Sequence, residues 1–152
     1  MLQTGSLAPE FTLPNQSGVD ISLTTLIHQG PLILYFYPAD FTPGCTREAC
    51  SIRDIYGELH RAGFTVAGVS PQSAVSHQKF SERYNLPFTL LADANKEVIR
   101  MFDVDGPFGI GVRRATFLID STRVIRSAVL ADFRIGKHEK FIQTALALSG
   151  RH

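Results

Sequence analysis

Little in this chain ties it to a membrane, to nucleic acid or to a disulfide scaffold. Its longest uninterrupted apolar run covers residues 31–39, well short of the ~18 residues that suggest a spanning helix. No membrane partner is expected. The 15 Lys and Arg against 14 Asp and Glu leave a net charge of +1, with no basic stripe of the kind nucleic acid needs. Residues 1–5 carry neither a basic n-region nor an apolar h-region, so the chain reads as one made and kept in the cytoplasm. Cysteine is scarce, with two in 152 residues. In a reducing compartment such a close pair is more often catalytic or metal-binding than structural. No internal repeat, low-complexity stretch or linker interrupts the chain, and residues 1–152 read as one domain.

What is present is a globular composition, 44% hydrophobic and 19% charged. Residues 8–14 and 19–23 alternate apolar and polar side chains around a turn at 15–18, which predicts a small N-terminal β-hairpin. Residues 32–37 are continuously β-branched, aliphatic or aromatic, the pattern of a central strand covered on both faces. Helical spacing follows over 44–61, with Gly63 as its stop. A strand is expected at 64–69, then a helix capped by Ser70 or Ser73, with Val75, Phe80 and Tyr84 as its loose apolar face and Pro87 barring its extension. Residues 88–91 read as a strand, 97–102 as a short helix and 105–111 as a loop. A hairpin then pairs 115–120 with 123–129. An amphipathic helix at 137–148 closes the chain, with Phe141, Ile142, Ala145 and Leu148 inward. This order argues for an α/β fold: a mixed central sheet with helices on both faces.

The chemistry concentrates in Tyr37-Pro38-Ala39-Asp40-Phe41-Thr42-Pro43-Gly44-Cys45-Thr46-Arg47-Glu48-Ala49-Cys50. Cys45 falls in the first turn of the predicted helix, where unpaired backbone N–H groups and the positive end of the macrodipole favour a thiolate. At 100° per residue, Ile52, Tyr56 and Leu59 lie within about 40° of Cys45, on the buried side. Cys50 lies roughly 140° away, among Thr46, Arg53, Asp54 and Gly57. Five residues of helix rise about 7.5 Å, beyond the ~6.8 Å limit usual between the Cα atoms of a disulfide. If the two thiols join, the first turns must unwind.

A thiolate near neutral pH also needs more than the helix. Lowering a cysteine pKa from about 8.5 to about 6 takes roughly 3.4 kcal/mol, and a helix terminus supplies ~0.3–2 kcal/mol. A cation is required. Arg114 is the candidate, because it opens a strand whose other residues are largely apolar. Glu48, about 60° from Cys45, has two open readings: it orients that arginine, or it is only a first-turn acid facing the helix dipole.

The segment 35–50 resembles the active-site segment of the peroxiredoxins, in particular the peroxiredoxin Q or bacterioferritin comigratory protein subfamily. Residues 5–13 resemble that family's opening segment, 88–93 its mid-chain strand and 114–120 its arginine-bearing strand. The resemblance implies a thioredoxin-like fold and a thiol peroxidase acting on hydrogen peroxide and organic hydroperoxides. It implies Cys45 as the peroxidatic cysteine, Pro38 and Thr42 shaping its pocket, and Arg114 as the cation. Cys50 matches the resolving position on the same helix, which implies an intramolecular disulfide recycled by thioredoxin or a similar dithiol. It implies no metal, haem or flavin cofactor. The chain has neither a Gly-Gly-Leu-Gly element nor a C-terminal Tyr-Phe helix, features of the ring-forming branch, and a monomer is expected.

Blander readings stand beside these. Cys45 is open to being a small buried residue, Cys50 an incidental surface thiol and Arg114 an ordinary edge arginine. Residues 106–111 carry spaced glycines but precede a strand and not a helix, so they read as a loop and not a nucleotide site. His28, His60, His77, His138 and His152 are scattered without i,i+4 pairing and read as solvated or capping residues. Two other function classes use the same cysteines: a redox-responsive holdase exposed by helix melting, and a thiol metal chaperone.

Overall fold

The computed structural model describes residues 1–149. The first strands, β1 (Thr12–Pro14) and β2 (Asp20–Ser22), pair antiparallel. Asn15 Oδ1 closes the turn between them by accepting from the N–H of Ser17 and Val19. The alternation that continues to Leu23 in the sequence does not extend the hairpin. Ser22 instead caps a short helix, α1 (Leu23–Ile27), by accepting from the Thr25 N–H at 3.1 Å. A serine hydroxyl satisfying an orphan donor outweighs strand periodicity over so few residues.

The main sheet has the strand order β5-β4-β3-β6-β7, with β3 (Leu32–Phe36), β4 (Thr65–Ser70), β5 (Thr89–Ala92), β6 (Ala115–Ile119) and β7 (Ile125–Leu130). The central strand β3 runs parallel to β4 and antiparallel to β6, so both of its edges are paired, and every residue is buried. Its even positions, Leu32, Leu34 and Phe36, enter a core shared with α1 and α4 (Glu97–Met101). Its odd positions, Ile33 and Tyr35, enter a second core shared with α2 (Pro43–Arg61), α3 (Ala74–Tyr84) and α5 (Ile135–Ser149). Helices thus lie on both faces, as the period-2 alternation of a buried strand demands. Gly68 on β4 leaves room for Tyr35: a Cβ there would sit 2.7 Å from the tyrosine ring.

Three expectations need correction. Val75 is exposed, and α3 buries His77 and Phe80 instead. Leu148 is also exposed: α5 buries Ile135, His138, Ile142 and Ala145, a three-and-four stripe that leaves Leu148 outside it. His77 and His138 are fully buried and hydrogen-bonded, not solvated. Their partners come from distant segments that spacing along the chain does not reveal. His152 lies outside the described residues. No helix among the described residues is long and apolar enough to cross a membrane.

Candidate active site

The β3 strand ends at Phe36, and the chain enters α2 through residues 37–42. Thr42 is the N-cap residue by backbone conformation, with Pro43 in the first turn where its missing N–H costs nothing. The first intrahelical bond runs from Thr46 N–H to Thr42 O at 2.8 Å, so the N–H groups of Gly44 and Cys45 lie at the electropositive helix end. Antiparallel pairing puts Ala115 opposite Phe36. Arg114, just ahead of β6, therefore sits beside the exit of β3 and reaches the first turn of α2 from 69 residues away.

The guanidinium divides itself between two acceptors. Its Nη2 donates to Cys45 Sγ at 3.3 Å and its Nη1 to Glu48 Oε1 at 3.1 Å. Cys45 and Glu48 are each 1% exposed and Arg114 is 6% exposed, so water screens these contacts little. Burial alone would lower the Arg114 pKa, but the negative charges at Cys45 and Glu48 more than reverse this and raise it. Glu48 goes the other way. Burial pushes its carboxyl up to about 7, against the pull of Arg114 and with Glu139 adding repulsion. The difference follows from burial, which for Glu48 outweighs its share of one cation, whereas for Arg114 two acceptors together outweigh it. Of the two sequence readings of Glu48, the structure places it against the arginine.

Supporting groups complete the site. Asp132 Oδ1 accepts from the Arg114 backbone N–H at 3.0 Å, and its Oδ2 accepts from Arg113 Nη2 at 2.9 Å. His138 faces the Ala131 carbonyl through Nε2 at 2.9 Å and the Thr116 hydroxyl through Nδ1 at 2.8 Å. Burial, with the nearby Arg114 charge, holds its pKa down. Its Nδ1 lies 3.7 Å from Glu48 Oε2, an oxygen without a hydrogen-bond partner among the described residues. None of this was legible beforehand: Asp132 and His138 match no spacing motif, and only the sheet and α5 bring them to Arg114.

An open cavity of about 1030 Å³ lies over the site, with Pro38, Thr42, Gly44 and Arg114 in its wall and Ile110 and Phe133 farther out. Pro38, Thr42, Cys45 and Arg114 therefore come together as a group, although Cys45 itself lies just behind the wall. Thr42 donates its hydroxyl hydrogen to Ala39 O at 2.9 Å, not to the sulfur. Gly44 lies close beneath the arginine: a Cβ there would sit 3.2 Å from Arg114 Nη2 and press it back by a few tenths of an ångström. Ile110 and Phe133 are 76% and 96% exposed, giving the mouth an apolar rim. Cys50 is half-buried farther along the unbroken α2 and, like Cys45, is a free thiol. No three His, Cys, Asp or Glu side chains among the described residues cluster to hold a metal ion.

Chemically this is the equipment of a thiol-dependent oxidoreductase: one sulfur beside a fixed cation, and a second thiol on the same helix. The AhpC/TSA family model matches residues 4–128. A Coxiella burnetii protein named for peroxiredoxin bcp is 45% identical over 143 residues, covering 90% of this chain and 93% of its own. The chloroplastic peroxiredoxin Q of Oryza sativa subsp. japonica is 42% identical over 135 residues, 88% of this chain, which spans 62% of that longer relative. The crystal structure of peroxidoxin BcpB from Mycobacterium tuberculosis matches with a TM-score of 0.90 and 34% identity, covering 99% of this chain and 98% of that one. The chain belongs to the AhpC/TSA family, in its peroxiredoxin Q (bacterioferritin comigratory protein) branch, and is a thiol peroxidase.

Proposed function

We propose that the chain reduces hydrogen peroxide and organic hydroperoxides through Cys45, resolves the product with Cys50, and is recycled by thioredoxin or a similar dithiol. The observation that carries this reading is the 3.3 Å contact between Arg114 Nη2 and Cys45 Sγ beside an open cavity. The Cys45 thiolate attacks the terminal peroxide oxygen, the O–O bond breaks, and an S–O bond forms. The departing oxygen leaves as alkoxide or hydroxide and takes up a proton to become alcohol or water. Arg114 and the N–H groups at the helix end face the region where negative charge develops, an arrangement that favours the transition state over the ground state. Pro38 and Thr42 shape the entrance, and with its hydrogen given to Ala39 the Thr42 oxygen is left to accept from the peroxide O–H. The apolar rim at Ile110 and Phe133 suits a carbon-bearing hydroperoxide.

Cys50 then attacks the Cys45 sulfenic acid, forming the disulfide and releasing water. Because α2 is continuous from Pro43 to Arg61, its first turns unwind for this step and reform after an external dithiol reduces the bond. The chain works as a monomer in the cytoplasm, where a reducing poise suits two unbridged thiols.

Stopped-flow mixing of reduced protein with peroxide tests the first step. Rapid stoichiometric consumption that Cys45→Ser abolishes is expected, and oxidation no faster than that of free cysteine would refute it. Cys50→Ser should keep the first oxidation and lose turnover with thioredoxin. A dimer joined through cysteines on mass spectrometry of the oxidised protein would overturn the intramolecular route.

A further inference from the structure

A second buried polar cluster, centred on Asp40, lies outside the Cys45–Arg114–Glu48 group. Asp40 sits between Pro38 and Thr42 in the entry loop of α2, and its side chain is fully enclosed, as is that of His77 on α3. Asp40 Oδ1 accepts from the Tyr37 hydroxyl at 2.7 Å. Its Oδ2 accepts from the Ser76 hydroxyl and from His77 Nδ1, each at 2.7 Å. The other ring nitrogen of His77 faces the Leu91 carbonyl at 3.0 Å. Both ring nitrogens thus lie within hydrogen-bond distance of a fixed oxygen, Nδ1 of the Asp40 carboxylate and Nε2 of the Leu91 carbonyl, and the Tyr37 hydroxyl lies 3.4 Å from Nδ1. Burial works against the Asp40 carboxylate, but the bonds from His77, Tyr37 and Ser76 outweigh it and hold its pKa below the usual value.

The next residue adds a second attachment to the same helix. Phe41 has left-handed backbone (φ 66), and its ring packs on Phe80 and Tyr84 at centroid distances of 5.1 and 6.4 Å. The start of α2 has no side-chain capping bond of its own. In place of a cap, the loop attachments and the Arg114 bonds to Cys45 and Glu48 hold this helix end. Pulling Asp40 away would leave the buried His77 ring and the Tyr37 and Ser76 hydroxyls without their shared carboxylate, which is costly.

We propose that Asp40 and His77 are positioning residues, a clamp that anchors the entry loop to α3 and resists unwinding of α2. The clamp thereby sets how oxidised Cys45 divides between Cys50 and a second peroxide. This rests on the peroxidase reading above and on Cys50 as the resolving thiol. In one branch Cys50 displaces water from the sulfenic acid to form the disulfide. In the other a second peroxide gives up an oxygen to form the sulfinic acid and leaves as alcohol or water. A tight clamp favours peroxide attack and delays resolution. A loosened one slows the first step and speeds the second.

The test treats reduced protein with graded peroxide in the absence of reductant. Stopped-flow follows the first oxidation, and mass spectrometry follows the ratio of Cys45 sulfinic acid to Cys45–Cys50 disulfide. Asp40→Asn should slow the first oxidation and lower that ratio by about tenfold each, the scale of one charge-assisted hydrogen bond. Ser76→Ala, which removes one bond to Asp40 and keeps the His77 contact, should move both a few-fold in the same directions, and it decides the matter if Asp40→Asn does not fold. Phe102→Leu, in the core on the other face of the sheet, serves as a destabilised control and should leave the ratio alone. Wild-type values in the Asp40 and Ser76 variants, or an equal shift in the control, would overturn the clamp. A wild-type protein that forms no Cys45–Cys50 disulfide would instead overturn the resolving mechanism and the clamp with it.

Discussion

Replacing Arg114 with alanine removes the donor to Cys45 Sγ at 3.3 Å and the donor to Glu48 at 3.1 Å. A gross attraction between unit charges at the sulfur distance is about 5 kcal/mol at an effective dielectric constant of 20. Much of this is offset by desolvation, and hydrogen bonds to charged groups contribute a net ~1.5–3 kcal/mol. If that net term is present in the transition state for peroxide attack, its loss slows the step by about 10- to 150-fold. Arg114→Lys should fall between the variant and wild type, because one ammonium cannot reach sulfur and carboxylate with the geometry of a planar fork. Glu48, left buried without its cation, would take up a proton, which keeps the alanine variant foldable near neutral pH. Stopped-flow measurement of the second-order rate of Cys45 oxidation, without reductant, reads the effect directly. An alanine variant within about twofold of wild type would show that the contact does no catalytic work.

The Glu48 carboxyl, pushed up to about 7 from 4.5, binds protons more tightly in the folded chain than in the unfolded one. Its contribution to stability is therefore greatest below the unfolded pKa and is lost as pH rises through about 7, by about 3 kcal/mol in total. Urea unfolding of wild type and Glu48→Gln between about pH 5 and about pH 8 should show the variant gaining relative stability as pH rises; a difference that stays flat refutes the shift. Phe102, fully buried with Phe36 and Phe117 at centroid distances of 5.1 and 5.3 Å, should cost ~3–5 kcal/mol when replaced by alanine, read by chemical denaturation. Replacing Ile110 and Phe133 together with serine should raise KM for a bulky apolar hydroperoxide about tenfold and leave that for hydrogen peroxide unchanged. Equal effects on both substrates would remove the rim from substrate selection.

Sequence patterns reveal most of the framework because the relevant forces are local and periodic. A continuous apolar run marks β3, and helical spacing from Gly44 onward marks α2, one residue short of its start at Pro43, and places Cys45 at its electropositive end. Arg114 was legible as the required cation because it opens a largely apolar strand, and the resemblance of that strand to a known family's arginine-bearing strand points to the same residue. Elements failed where a local bond or a neighbouring helix competed with periodicity. Ser22 capped a helix where alternation predicted strand, and the buried stripe of α5 runs through Ile135, His138, Ile142 and Ala145, leaving Leu148 outside it.

The order of residues along the chain was enough to establish a thiol at the start of a helix, a second thiol on that helix's other side, and the family to which such a segment belongs. Sheet register alone decided that Arg114 would meet both Cys45 and Glu48, because antiparallel pairing of β3 with β6 brings residues 69 positions apart within hydrogen-bond distance. Packing alone turned His77 and His138 from scattered surface candidates into buried members of polar networks. A buried polar group requires partners wherever the fold brings them, and partners drawn from distant elements leave no spacing to read.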